Sequence, residues 1–181
     1  MRVLDDFVRA GKIRYVGVSN WAGWHVVKAN LYAKNSGLTP IVSNQIWYNL
    51  ADRVAEFFII PACRDQKVSI IAWGGLAEGF LGGKYRRGTT KPAAGSRFKI
   101  IKDTEMCSFG LLANERNWRT LDVLERIAKG YGKTIPNIAL RWLLQCRNSD
   151  VVLLGGSSLE QYSNSLQIAD LQLSREEVQE L

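Results

Sequence analysis

Four short β-rich runs, separated by segments of helical period, constrain this chain more than any other feature. The runs are 13–18 (IRYVGV), 41–47 (IVSNQIW), 68–73 (VSIIAW) and 150–154 (DVVLL). A helix over 2–10 precedes them, with Val3, Phe7 and Val8 on one face and a stop at Gly11. A helical period through Trp24, Val27 and Leu31 covers 22–35 and closes near Gly37. Residues 54–66 read as a helix, with Pro61 counting against a clean one. A long loop follows residue 73, and then helices over 118–130 and 136–147, the second capped by Thr134 with Pro136 in its first turn. Helices over 158–168 and 174–181 close the chain, the last opened by the capping box Ser174…Glu177. VSIIAW and DVVLL are nearly continuous apolar runs, the pattern of strands buried on both faces. Strands alternating with helices predict a parallel α/β fold whose strand carboxyl ends share one functional rim.

Composition agrees with one globular domain over 1–181: hydrophobic residues make up 46% and charged residues 23%. No run of 18 apolar residues is present, so no membrane span is expected. The N-terminal MRVLDDFVRAGK lacks a signal-peptide core. Cys63, Cys107 and Cys146 are odd in number and far apart, which excludes a CxxC zinc site and argues for a reducing, cytoplasmic setting. The formal charge is +7, and all of the excess lies between Lys84 and Lys102: seven bases, no acid, and 17 of each sign elsewhere. Such a run is a solvated surface, a phosphate-binding segment or a nucleic-acid contact. With only Tyr85 and Phe98 as aromatics, it lacks the interleaving that single-stranded nucleic acid requires.

Three strand ends carry candidate chemistry. GVSN (Gly17–Asn20) stops a strand on a hydroxyl and an amide, as a capped turn also would. Trp73 ends an apolar strand and is followed by GGLAEGFLGGKY; its ring is suited to stacking on a flat ligand, or to the core. The five glycines from Gly74 to Gly83 let backbone N–H groups approach an anion, without Walker or GxGxxG spacing. LLGGSSLEQYSNSL (Leu153–Leu166) opens a helix directly from a glycine turn, which exposes N–H groups to an anion.

Taken together, GKIRYVGVSN, SNQIWYNL, AWGGLAEGFLGGKY and VLLGGSSLEQYSNSL resemble strands five to eight of the aldo-keto reductases, in order and over essentially the whole chain. The nearest branch is that of the aryl-alcohol dehydrogenases, norsolorinic acid reductases and potassium-channel β-subunits. The resemblance implies a (β/α)8 TIM barrel, of which βα units 5–8 are represented, and reduction of an aldehyde or ketone, or the reverse, with NADP(H). It implies that Ser19, Asn20 and Gln45 hold the nicotinamide carboxamide and that Trp73 stacks on its ring. Gly74, Leu76, Gly79, Leu81 and Lys84 would line the pyrophosphate, with Arg97 on the covering loop. Gly156, Ser157, Gln161, Asn164 and Ser165 would surround the adenosine end. The family's Glu-Asn is Asn164-Ser165 here, and its Ser-Pro after the aromatic is Gly74-Gly75, which is expected to loosen that turn. The implied partner is a small carbonyl or alcohol substrate, aromatic if Trp47, Tyr48 and residues 103–117 form its pocket.

The family's Tyr, which protonates the carbonyl oxygen, the Lys and Asp that lower its pKa and the His that orients the substrate belong to its first four βα units, and their motifs are absent here. His25 reads as a surface residue beside Trp24, and neither Tyr48 nor Tyr85 has an acidic and basic setting. No catalytic residue and no metal ligand is therefore nominated. A portion of a longer enzyme is the favoured expectation. A homo-oligomer of two half-barrels, a poorly persisting open sheet, and a non-catalytic nucleotide-binding module are the alternatives.

Overall fold

A computed structural model describes residues 1–94, 96–100 and 109–181. Lys102, Cys107 and the first part of the expected substrate loop 103–117 lie outside the described residues. Strands β1 (Val16–Ser19), β2 (Ile41–Trp47), β3 (Ser69–Trp73) and β4 (Val151–Val152) form one parallel sheet in sequential order. Helix α1 (Arg2–Arg9) precedes β1, while α2 (Gly23–Ser36) and α3 (Ala55–Asp65) connect the first three strands. After β3 come a 3-10 segment (Ala77–Gly82) and the helices α4 (Arg97–Ile100), α5 (Phe109–Leu112), α6 (Glu115–Tyr131) and α7 (Ile135–Gln145). Helices α8 (Leu159–Leu166) and α9 (Arg175–Glu180) follow β4. The sheet is not closed: β1 and β4 each pair with a single neighbour, as in part of a (β/α) barrel.

The two faces of the sheet differ. Val16, Asn44, Ile46, Ile70 and Ala72 are buried on the face that α2, α3 and α7 cover, whereas Ser43, Gln45, Trp47, Ile71 and Trp73 alternate onto a partly exposed face. The expectation that VSIIAW and DVVLL are buried on both faces is therefore corrected: a helical layer packs on one side only, and Val151 and Leu153 at the edge are exposed.

Polar clamps set the helices against the strands. Asn30 of α2 donates from Nδ2 to Ile41 O (3.1 Å) and accepts Ile41 N–H at Oδ1 (2.8 Å). Asn44, fully buried, does the same for Trp21 (3.0 and 3.4 Å). Such bidentate amides satisfy backbone groups that the sheet leaves unpaired. The packing faces of α1 and α2 differ from the periodicity reading. Val3, Phe7, Trp24 and Leu31 are exposed. Asp5 anchors α1, accepting from Thr39 N (2.8 Å), Thr39 Oγ1 (2.7 Å) and Arg9 Nε (2.6 Å). The buried side of α2 is Gly23, Val26, Asn30 and Ala33, because Gly23 lies against the Phe58 carbonyl of α3, leaving no space for a Cβ. Pro61 is tolerated inside α3 on its exposed side; the carbonyl one turn earlier belongs to the exposed Phe57, where water can serve it.

Candidate functional site

The parallel strands bring their carboxyl ends to one rim. There Asn20, in a left-handed conformation (φ 53°), is tied into the sheet by its N–H to Gln45 O (2.8 Å), and Ser19 Oγ donates to the same carbonyl (3.1 Å). Asn20 Oδ1 accepts both Trp47 N–H (3.2 Å) and the Trp73 indole N–H (3.0 Å). Two donors converging on one atom require oxygen there, so the amide orientation is fixed and Nδ2 is left to donate elsewhere. The Trp73 ring is also held edge-on by Trp47, with centroids 4.9 Å apart, and Trp47 Nε1 donates to Asp52 Oδ2 (3.0 Å).

Gly74 does not loosen the turn after Trp73, contrary to expectation. A Cβ at position 74 would stand 2.3 Å from the Trp47 ring, and one at Gly75 would stand 2.8 Å from Leu143. The turn is filled by neighbouring side chains and closed by Ala77 N–H to Gly74 O (2.8 Å).

From this rim a cavity of about 630 Å³ runs between the carboxyl ends of β3 and β4 and the start of α8. Eleven of the fifteen sequence-derived site residues line it: Trp73, Gly74, Leu76, Gly79, Lys84, Arg97, Gly156, Ser157, Gln161, Asn164 and Ser165. Ser19, Asn20 and Gln45 do not line it, although Asn20 bonds to the Trp73 indole that does, and the Leu81 side chain is fully buried in the core. Among the further lining residues, the polar side chains of Glu78 and Ser96 carried no signal of their own in the sequence. Each lies within two positions of a residue that the family resemblance named, which was the available signal. Glu78 is ion-paired with Arg97. Ser96 Oγ is buried without a hydrogen-bond partner among the described residues, and its residue is 3% exposed.

At the far end of the cavity, Gln161 Oε1 accepts Ser157 N–H (2.8 Å), and Ser158 Oγ caps α8 by accepting Gln161 N–H (3.3 Å). Asn164 is drawn into the start of α7: its Nδ2 donates to Thr134 Oγ1 (3.1 Å), and its carbonyl accepts from Asn137 Nδ2 (2.6 Å). The basic run does not act as a unit. Arg86 pairs with Glu125 (3.5 Å), while Arg87 pairs with Glu115 and with Asp122 (2.9 Å) on α6. Of the described bases in that run, only Lys84 and Arg97 line the cavity.

Neither rim tyrosine is placed as an acid. Tyr85 is buried among Phe80, Phe98 and Phe109. Tyr48 faces the helical layer, where its hydroxyl donates to Glu56 Oε1 (2.5 Å), accepts from Asn148 Nδ2 (3.1 Å) and lies 3.8 Å from Cys146 Sγ. Burial pushes the Tyr48 phenol and the Cys146 thiol up. Burial alone would raise Glu56 too, but hydrogen bonds from Arg53, Tyr48 and Asn148 outweigh it and hold that carboxyl below its ordinary range. His25 is exposed, with its ring tilted against Trp24 (centroids 3.5 Å apart). Among the described residues no group of three His, Cys, Asp or Glu side chains is placed to hold a metal, and no helix is long and apolar enough to cross a membrane.

The comparisons agree with this architecture. The model of the aldo/keto reductase family matches residues 1–181. Norsolorinic acid reductase B of Dothistroma septosporum is 33% identical over all of this chain and 43% of its own length. An aryl-alcohol dehydrogenase [NADP(+)] of Phanerodontia chrysosporium is 32% identical over 99% of this chain and 46% of its own length. Versiconal hemiacetal acetate reductase of Aspergillus parasiticus is 29% identical over all of this chain and 51% of its own length. The chain thus spans about half the length of the curated relatives it matches, and it belongs to the aldo/keto reductase family.

Proposed function

We propose that this chain is the cofactor-holding, C-terminal portion of an NADP(H)-dependent reductase of aldehydes or ketones. The observation that carries the reading is the order of chemistry along one cavity: an oriented indole at Trp73, then the cations Lys84 and Arg97, then the glycine turn and amino end of α8. A dinucleotide presents a flat ring, a pyrophosphate and a phosphorylated nucleoside in that order. The unpartnered Ser96 hydroxyl supports the fit, since a buried donor without a partner is costly and a phosphate oxygen would satisfy it. When bound, the nicotinamide supplies or accepts the hydride. The residues of this chain orient it: Asn20 fixes the Trp73 ring and keeps Nδ2 for the carboxamide oxygen, while Ser157, Ser158 and the amino end of α8 favour the 2′-phosphate. The finer identification, NADP(H) with an aromatic carbonyl, rests on the family resemblance and on the relatives' names.

Fluorescence titration of the chain with NADPH and NADH tests the reading. Tighter binding of NADPH by about tenfold or more is expected from one or more charged hydrogen bonds, and equal affinities would refute the preference. The 181 residues assayed alone are expected to show no NADPH-dependent reduction of an aromatic aldehyde. They lack the family's Asp, Tyr, Lys and His motifs, and general acid catalysis contributes about 10²–10⁴-fold. Steady turnover abolished by Tyr48→Phe would reveal a proton donor in an unexpected place.

A further inference from the structure

The Glu78–Arg97 pair stands inside the cavity just described, where the reading above places the pyrophosphate. The Glu78 side chain is 8% exposed, whereas that of Arg97, on the single turn of α4, is 65% exposed. Burying a carboxylate this far from water is costly unless a counter-ion accompanies it, and Arg97 is that counter-ion. Its backbone gives it little freedom to leave: Ala77, Glu78 and Gly79 are left-handed in succession, with φ of 48°, 54° and 88°. Two of the three are not glycine, so the segment is strained and its direction is imposed by its surroundings. Around the pair lie Lys84, whose Nζ is 3.7 Å from where a Cβ on Gly79 would stand, and the unpartnered Ser96 hydroxyl. An anion-binding end that already contains a carboxylate, held on one of its two cations, works against the ligand it is shaped to receive.

We propose that Glu78 is a resident competitor for Arg97. It occupies the guanidinium in the absence of ligand and must be displaced by a phosphate oxygen of the incoming dinucleotide. The arriving anion gains what Glu78 does not use, the Ser96 hydroxyl and Lys84, so exchange is favourable but weaker than an all-cationic cradle would allow. Glu78 thereby sets affinity without being required for it. The inference rests on the cavity's reading as an NADP(H) site.

The test is NADPH affinity of the 181-residue chain, followed by tryptophan quenching, for wild type, Glu78→Gln and Glu78→Gly. The second variant removes the side chain and relieves the left-handed strain, so a folding defect in one still leaves the other to decide. Both should bind NADPH about tenfold more tightly or better, the scale of one charged hydrogen bond released to the ligand. In an Arg97→Ala background the gain from Glu78→Gln should shrink, because no pair is left to break. A gain that grows there would mean plain repulsion by Glu78 and would overturn the competition. Unchanged or weaker binding by the variants, with the wild type binding, would make the pair a structural strut and sink this inference alone. If neither wild type nor variants bind NADPH, the dinucleotide reading fails and this one fails with it.

Discussion

The two faces of the same four strands carry opposite assignments. On the helix side, Ile46, Ile70 and Ala72 are closely packed, and the polar groups there, Asn44 and Tyr48, have their hydrogen bonds met. On the other side, Ser43, Gln45, Trp47 and Trp73 keep partial exposure, and the Trp47 backbone and the Trp73 indole donate to Asn20 at the rim instead of into a core. Because side chains alternate along a strand, adjacent residues divide between holding the fold and presenting chemistry. The division is a local property of each residue, and it does not need the sheet to be closed.

If so, neighbouring substitutions should differ sharply. Ile46→Ala should lower unfolding free energy by about 2–5 kcal/mol, the range for emptying a packed site, while Gln45→Ala next to it should cost less than about 1 kcal/mol. Urea denaturation of the pair checks this, and similar losses would erase the distinction between the faces. Next in size, Tyr48→Phe should cost about 1–3 kcal/mol, since it strips partners from the partly buried Glu56–Asn148 network.

The same network gives the helix side a pH signature. Glu56 titrates below its ordinary range when folded, so its contribution is complete at neutral pH. That contribution is lost as pH falls from the ordinary carboxylate range through the lower folded value. Glu56→Gln should flatten that acid limb, as stability curves between pH 7 and pH 3 would show; an unchanged limb would count against the network. Smallest of all, Arg87→Ala should leave the denaturation midpoint where it is despite its two acidic partners, because exposed pairs are screened by water.

Strand positions and order were readable from the sequence because β-rich runs bounded by glycine and small polar residues are local signals, and Gly37 and the Ser174–Glu177 box closed and opened helices as expected. Eleven candidate site residues also converged on one cavity, since parallel strands place their ends together. What stayed hidden depends on contacts between distant segments. Periodicity found an apolar stripe on α2 but could not know that Gly23 would meet the Phe58 carbonyl and turn Trp24 and Leu31 outward. Hydropathy gave Asp5 no part in the packing, although its three hydrogen bonds are what seat α1. The basic run was open to reading as a solvated surface or as an anion-binding segment, and its division became visible only where Arg86 and Arg87 met acids on α6, a helix whose distance from them in space no composition reports. Glu78 and Ser96 lacked any signature of their own and acquire meaning only from the cavity they share.

The Trp47 ring in front of Gly74 links the histories of two strand ends. No side chain can arrive at position 74 while the indole occupies that volume, so a lineage passing to serine there must first give up the large aromatic at 47. The reverse order is closed as well, because a tryptophan cannot enter against an existing Cβ. The two positions are therefore coupled, and the only route between them passes through glycine at 74 with a smaller residue at 47. Among relatives, a bulky aromatic at the first position should therefore occur together with glycine at the second, and chains carrying the aromatic with a side chain at the second should be rare.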